Sequence, residues 1–390
     1  MKKAGLYIHF PFCRRSCFYC HFFKKAYDKD LVDRYIKYLL EEIRLRKNHE
    51  LALDTVYVGG GSPSLLKSWQ LQSILESVTS NFHLAANAEI TLEANPEDVS
   101  AQELRIYRSL GVNRLSLGVQ SFQESDLSIL KRTHTADQAY KNLTNAIEAG
   151  FANISIDLII GLETQTPRSL ENNFKVIEKF MPPHLSVYIL EGVPSKRPPR
   201  GGVPSKRPPL GGVPSKRPPL GGVPSKRLPL GGVPSSENDD RDAGLYFHAR
   251  ASLLTLGYQH YEVSNYCLPG KASRHNLKYW QNQPYIGLGA SAAGYLDGRD
   301  YKNFPDLKKY FAALDHGLLP KQKTAPLRPA LRRVITGLRL LDGIPASAFK
   351  PFPDTTDFLL TESFLVRHGR NLAVPPEKIL LLNEILGYFI

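Results

Sequence analysis

The sequence predicts an α/β fold built from consecutive βα units, and two observations predict it. Short β-branched or aromatic runs alternate with segments of helical period from the N-terminus to about residue 190, the pattern of parallel strands joined by helical crossovers. Several of these runs also end in glycine or polar residues, at the place where such folds carry their sites.

Six strands are predicted, at 5–10, 55–58, 89–93, 114–119, 153–160 and 185–190. The segment 30–46 follows the first as a helix, because Val32, Tyr35, Ile36, Leu39, Leu40 and Ile43 form an apolar stripe at spacings of three and four. A second helix over 135–149 is stopped by Gly150. These patterns fit an open doubly wound sheet and a partial (β/α) barrel alike, and both put the active site at the carboxyl ends of the strands.

Residues 193–234 break the alternation with a tandem decapeptide, VPSKRPPRGG and three near copies, in which Pro and Gly make up 20 of 42 residues. That composition disfavours helix and strand, so the segment is expected to be a disordered insertion in the loop after the sixth strand. Lengthening such a loop from about five to about forty residues costs only roughly 2 kcal/mol of closure entropy. Residues 235–320 resume the core with an amphipathic stretch at 243–256, then YEVSNY, RHNLKYW and the glycine-rich YIGLGASAAGY. Residues 321–390 read as a small, mainly helical C-terminal domain, after a main body at 1–192.

The net charge of +13 suggests a nucleic-acid or anionic-membrane partner, but nine of those charges lie in the decapeptide, which has no acidic residue. The remaining +4 is ordinary. No specific nucleic acid is therefore expected as a partner, and peripheral membrane contact would fall to the repeat. A hydrophobic content of 42% supplies a core over 390 residues, which excludes a wholly disordered chain. No run of 18 apolar residues occurs, and MKKAGLYIHF lacks the apolar stretch and cleavage site of a signal peptide, so a cytoplasmic protein is expected.

Three of the four cysteines, Cys13, Cys17 and Cys20, fall within eight residues. That is too crowded for a disulfide framework. Structural zinc wants four ligands, and no fourth Cys or His stands at zinc-finger spacing; His21 adjoins Cys20 and is poorly placed to share its ion. Three thiolates fit a [4Fe–4S] cluster with one iron open. That iron could chelate the amino and carboxylate groups of S-adenosylmethionine, whose sulfonium one electron would cleave.

Polar residues recur at the strand ends. The second strand runs into Gly59-Gly60-Gly61-Ser62-Pro63-Ser64, whose bare backbone lets a ligand approach closely and which lacks the Lys of a nucleotide P-loop. The third ends at Glu93, the fourth at Gln120 and the sixth at Glu191, and the fifth contains Asp157.

The CxxxCxxC spacing resembles the radical SAM superfamily, and the chain as a whole resembles its coproporphyrinogen III oxidase-like members, apart from the repeat. The resemblance implies a partial (βα)6 barrel in which Cys13, Cys17 and Cys20 hold the cluster, flanked by Tyr7 and Tyr19. It implies that Gly60, Gly61 and Ser62 contact the methionyl part of S-adenosylmethionine, and that Glu93, Gln120, Arg132 and Asp157 complete the site. Within that family the oxidative decarboxylase of porphyrin biosynthesis has a longer N-terminal extension and a further cysteine where this chain has Phe22. The segment from His275 to Trp280 instead matches the HNxxYW signature of the HemW-type haem chaperones. This branch implies haem as ligand, His275 as a candidate for its iron, and a haem-acceptor protein of the respiratory chain as partner; a dimer is compatible with it. Two departures stand out: Ser62 replaces the usual threonine, and Ala293 stands where a histidine is usual.

Overall fold

The computed structural model describes residues 1–190, 237–323, 325 and 327–390. The decapeptide repeat and Glu191 lie outside the described residues. Strands β1 (Lys2–Phe10), β2 (Asn48–Gly60), β3 (Phe82–Ala94), β4 (Arg114–Gln120), β5 (Ile154–Ile160) and β6 (His184–Ile189) lie parallel and adjacent in chain order. Helices α1 (Lys29–Leu45), α2 (Ser68–Asn81), α3 (Ala101–Ser109), α4 (Ala136–Glu148) and α5 (Pro167–Phe180) connect them, and α6 (Glu237–Thr255) follows β6. This strictly sequential order has no point at which the winding reverses, so the doubly wound alternative is excluded. With right-handed crossovers it puts these helices on one face and turns the other face inward as a lumen.

The sheet continues beyond the six. At the β6 side, β7 (Gln259–Glu262) and β8 (Asn265–Cys267) form an antiparallel pair with β8 against β6. At the other side β9 (Tyr285–Leu288) runs parallel to β1, and the short antiparallel strands β10 (Ala293–Leu296), β11 (Arg299–Asn303) and β12 (Lys321–Gln322) follow. The twelve strands do not close, which makes the architecture a partial barrel. Strand β12 belongs to this sheet although the sequence puts residue 321 at the start of the C-terminal region. That region carries helices Pro329–Gly337, Pro353–Thr361 and Leu382–Gly387 and adds a small three-stranded sheet.

Alternation along the strands positions the site. Ala4, Leu6, Ile8 and Phe10 of β1, and Leu115, Leu117 and Val119 of β4, point to the helices and belong to the main core. Their neighbours Tyr7, His9, Thr55, Thr91, Arg114, Ser116, Ser155 and His184 are polar and inward, almost all fully enclosed. A parallel sheet covered by apolar groups on both faces would show near-continuous apolar strands. The period of two here marks a polar lumen. The helices start where side chains cap them: Ser100 with Glu103, and Thr135 with Gln138, form reciprocal capping boxes, each contributing about 1 kcal/mol.

Candidate functional site

A cleft of about 160 Å³ opens at the carboxyl ends of the strands. Its walls include Cys13, Cys17, Tyr19 and Cys20 from the loop after β1, Gly60, Gly61 and Ser62 after β2, and Glu93, Gln120, Arg132 and Asp157 from beyond or within β3 to β5. Eleven of the thirteen residues expected at the site are thereby brought together. Tyr7 and His275 are not.

The cysteine loop is closed on itself and tied to its surroundings. Phe12–Cys13 pairs with Lys25–Ala26, and the Tyr27 N–H donates to the Cys13 carbonyl at 2.9 Å. Gly61 and Ser62 donate their N–H groups to the carbonyls of Phe10 and Phe12 at 2.7 and 2.8 Å. A Cβ on Gly61 would lie 2.7 Å from the Phe12 carbonyl oxygen, so glycine is what allows this approach. Gly60 has φ +114°, and a Cβ there would meet the His9 ring. Arg14 reaches from the loop to Asp98 at 2.8 Å, which fixes the cysteine segment against the turn after β3.

The acidic residues are enclosed. Glu93 accepts from the Gly60 N–H and the Tyr57 hydroxyl, both at 2.8 Å; burial nevertheless raises its carboxyl to about 7. Burial likewise lifts Asp157 to about 6, against hydrogen bonds from Ser186 and Ser116. Gln120 sits at a register shift between β4 and β5 with φ +68°, a strained position for a residue with a side chain.

Arg132 is held from several sides. It donates to Asn95 at 2.8 Å, pairs with Glu97 at 3.4 Å, and its Nη1 lies 3.6 Å from the Cys17 Sγ. Burial pushes the Glu97 carboxyl up, but the His134 bond and the Arg132 charge outweigh it and hold the group down at about 2. Asn95, Glu97 and Asp98 were not singled out from sequence. Their signal was the LEANPED run continuing directly from the end of the third strand.

Tyr7 lies inside the barrel, its hydroxyl 2.9 Å from His9 Nδ1, and the second nitrogen of that histidine bonds the Phe23 carbonyl at 2.9 Å. It lies beneath the loop, bonded to it through His9, and is not among the residues that line the cleft. His275, on α7 (Arg274–Trp280), is 0% exposed. Its Nδ1 bonds Thr55 Oγ1 at 2.8 Å and its Nε2 bonds the Tyr279 hydroxyl at 2.7 Å. Both ring nitrogens of the candidate iron ligand are thus engaged by side chains in this structure. Burial, with Lys278 and Arg114 adding to it, pulls the imidazole down to about 3, so it stays neutral.

Among the described residues no group of three or more His, Cys, Asp or Glu side chains stands close enough to hold a single metal ion. Zinc would require three thiolates each about 2.3 Å from one centre. An iron–sulfur cubane spreads its cysteines over separate irons, and three half-buried thiols around one cleft suit that demand.

Residues 7–177 match the model of the radical SAM superfamily. The chain is 37% identical to the heme chaperone HemW of Lactococcus lactis, over 80% of this chain and 75% of that protein. It is 30% identical to the heme chaperone HemW of Bacillus subtilis, over 100% and 99% of the two chains. In fold it is similar to the coproporphyrinogen III oxidase HemN of Escherichia coli, a radical SAM enzyme, with TM-score 0.78, 22% identity, and coverage of 100% of this chain and 90% of that one. The chain belongs to the HemW family of the radical SAM superfamily.

Proposed function

We propose that this protein is a haem chaperone that binds haem and passes it to an acceptor protein, respiratory haem proteins being the class expected. The observation that carries this reading is the 37% identity to a heme chaperone over three quarters of that relative's length. Phe22 agrees with it, because the decarboxylase branch has a further cysteine there. The likeness to the oxidase, at 22% identity, supports the fold alone.

We assign Cys13, Cys17 and Cys20 to a [4Fe–4S] cluster and the cleft beside them to S-adenosylmethionine. The cluster, when bound, supplies an open iron for the amino and carboxylate groups of S-adenosylmethionine and an electron source for its sulfonium. The chain's own groups do the rest. Glu93, once ionised, attracts a ligand's ammonium or ribose hydroxyls, and its bonds to Gly60 and Tyr57 fix the direction it faces. Ser62 contributes a hydroxyl already oriented by a 2.9 Å bond from Asn95. Arg132 sets a positively charged N–H donor beside the Cys17 Sγ. Tyr19 encloses the loop from the cleft side.

Anaerobic reconstitution followed by haem titration tests this reading. A full cluster with a saturable shift of the haem Soret band is expected, as is haem transfer to an apo-haem protein. A full cluster without a specific Soret shift would overturn the haem assignment. Protoporphyrinogen formed from coproporphyrinogen III under reductant would replace it with the decarboxylase.

A further inference from the structure

We infer that Arg114, with Thr91, is a carboxylate-binding site at the floor of the strand-end cleft. Arg114 stands on the inward face of β4, below Ser116 and Gly118, two residues of the cleft wall. It is 2% exposed. Among the described residues its guanidinium makes no hydrogen bond and no ion pair, and its Nε is fully enclosed without a partner. Its register partner on β3 is Thr91, which is 0% exposed and whose Oγ1 also lacks a partner.

The neighbouring carboxylates do not answer this need. Both Glu93 oxygens are engaged by Gly60 and Tyr57, and Asp157 is bonded by Ser116 and Ser186. An enclosed guanidinium without hydrogen-bond partners is costly, since arginine cannot shed its charge. A planar fork of N–H donors beside a hydroxyl is the complement of a carboxylate. Thr91 and Arg114 lie one inward position below Glu93, roughly 7 Å along the strand, within reach of a short acidic arm entering from the cleft.

Two ligands bring such a carboxylate: a tetrapyrrole through a propionate, and S-adenosylmethionine through its methionyl end, which in that case goes to Arg114 in place of the open iron. The tetrapyrrole source rests on the haem reading above. The test compares the wild type with Arg114→Met, Arg114→Lys and Thr91→Val, each anaerobically reconstituted. Calorimetric titrations would use haem against its dimethyl ester, and S-adenosylmethionine against its decarboxylated analogue.

Arg114→Met should weaken one acid about 10- to 100-fold and leave its carboxylate-free counterpart unchanged; the acid affected identifies the source. Its Tm should equal or exceed that of the wild type, because an unpaired buried charge has been removed. Arg114→Lys should recover part of the affinity. Wild-type affinity for both acids in Arg114→Met would overturn the inference, as would a lowered Tm with equal weakening of acids and analogues. If Arg114→Met does not fold, Arg114→Lys and Thr91→Val decide. A loss confined to an acid then supports the site, and equal behaviour of acid and analogue overturns it. If wild-type protein binds no haem, the haem reading fails separately and the S-adenosylmethionine pair decides.

Discussion

At the carboxyl ends of the strands, Glu93, Gln120, Arg132 and Asp157 line an open cleft. Five residues further down β2, about 16 Å along the strand, Thr55, His275, Tyr279, Glu89, Lys278 and Asp54 form a second polar layer. There every principal donor meets an acceptor. Glu89 takes the N–H groups of Arg274 and His275 at 3.2 and 3.0 Å, the first turn of α7, and Lys278 pairs with Asp54 at 2.7 Å. The two layers are alike in composition and differ in availability. Polarity inside a barrel does not by itself mark a ligand site; polar groups left facing an opening do. By this criterion His275, the residue that the sequence motif favoured for haem, ties α7 to β2 through Thr55.

Four experiments sharpen or break this contrast. The largest effect belongs to the upper layer: alanine at Cys13, Cys17 or Cys20 should abolish stable incorporation of iron and sulfide on anaerobic reconstitution while far-ultraviolet circular dichroism keeps the wild-type fold. In the lower layer, Lys278→Met strands a buried Asp54 and should cost about 3–5 kcal/mol of unfolding free energy in urea. The double variant with Asp54→Asn should regain much of it.

His275→Ala should cost about 1–3 kcal/mol by removing partners from Thr55 and Tyr279, with haem still bound. Loss of the Soret shift at unchanged stability would instead return His275 to the ligand role. The smallest effect concerns protonation at Glu93. Its carboxyl is raised to about 7 by burial and faces Tyr57, Tyr7, Asp157 and Arg114, so the ionised form is present above that pH and lost on acidification through it. S-adenosylmethionine affinity should therefore fall as pH drops through about 7. Glu93→Gln should bind about tenfold more weakly at high pH and show no such dependence.

Much of this was legible in the residues. The cysteine spacing, Gly60-Gly61-Ser62, Glu93, Gln120 and Asp157 were readable because each follows or lies in a strand with a clear apolar rhythm, and strand ends share one rim. Strand length was less legible. β2 begins at Asn48 rather than 55, since His49 and Glu50 are polar and register shifts interrupt the early pairing with β3. Arg114 and Thr91 escaped notice because an inward polar residue in a half-polar strand looks like an ordinary solvent-facing one. The three-stranded sheet in the C-terminal region was missed because its strands are two or three residues long, too short to show a period. Among the described residues no helix is long and apolar enough to cross a membrane.

Alone, the sequence determined the βα alternation, the three-cysteine loop and the rim on which the polar strand ends converge, because local periodicity and chain order dictate them. Only the tertiary structure decided between an open sheet and a barrel, since that depends on strand order. It alone also decided which inward groups are paired. His275 finds Thr55, 220 residues away in sequence, and the Arg114 Nε finds no hydrogen-bond partner among the described residues, two outcomes that no local pattern encodes.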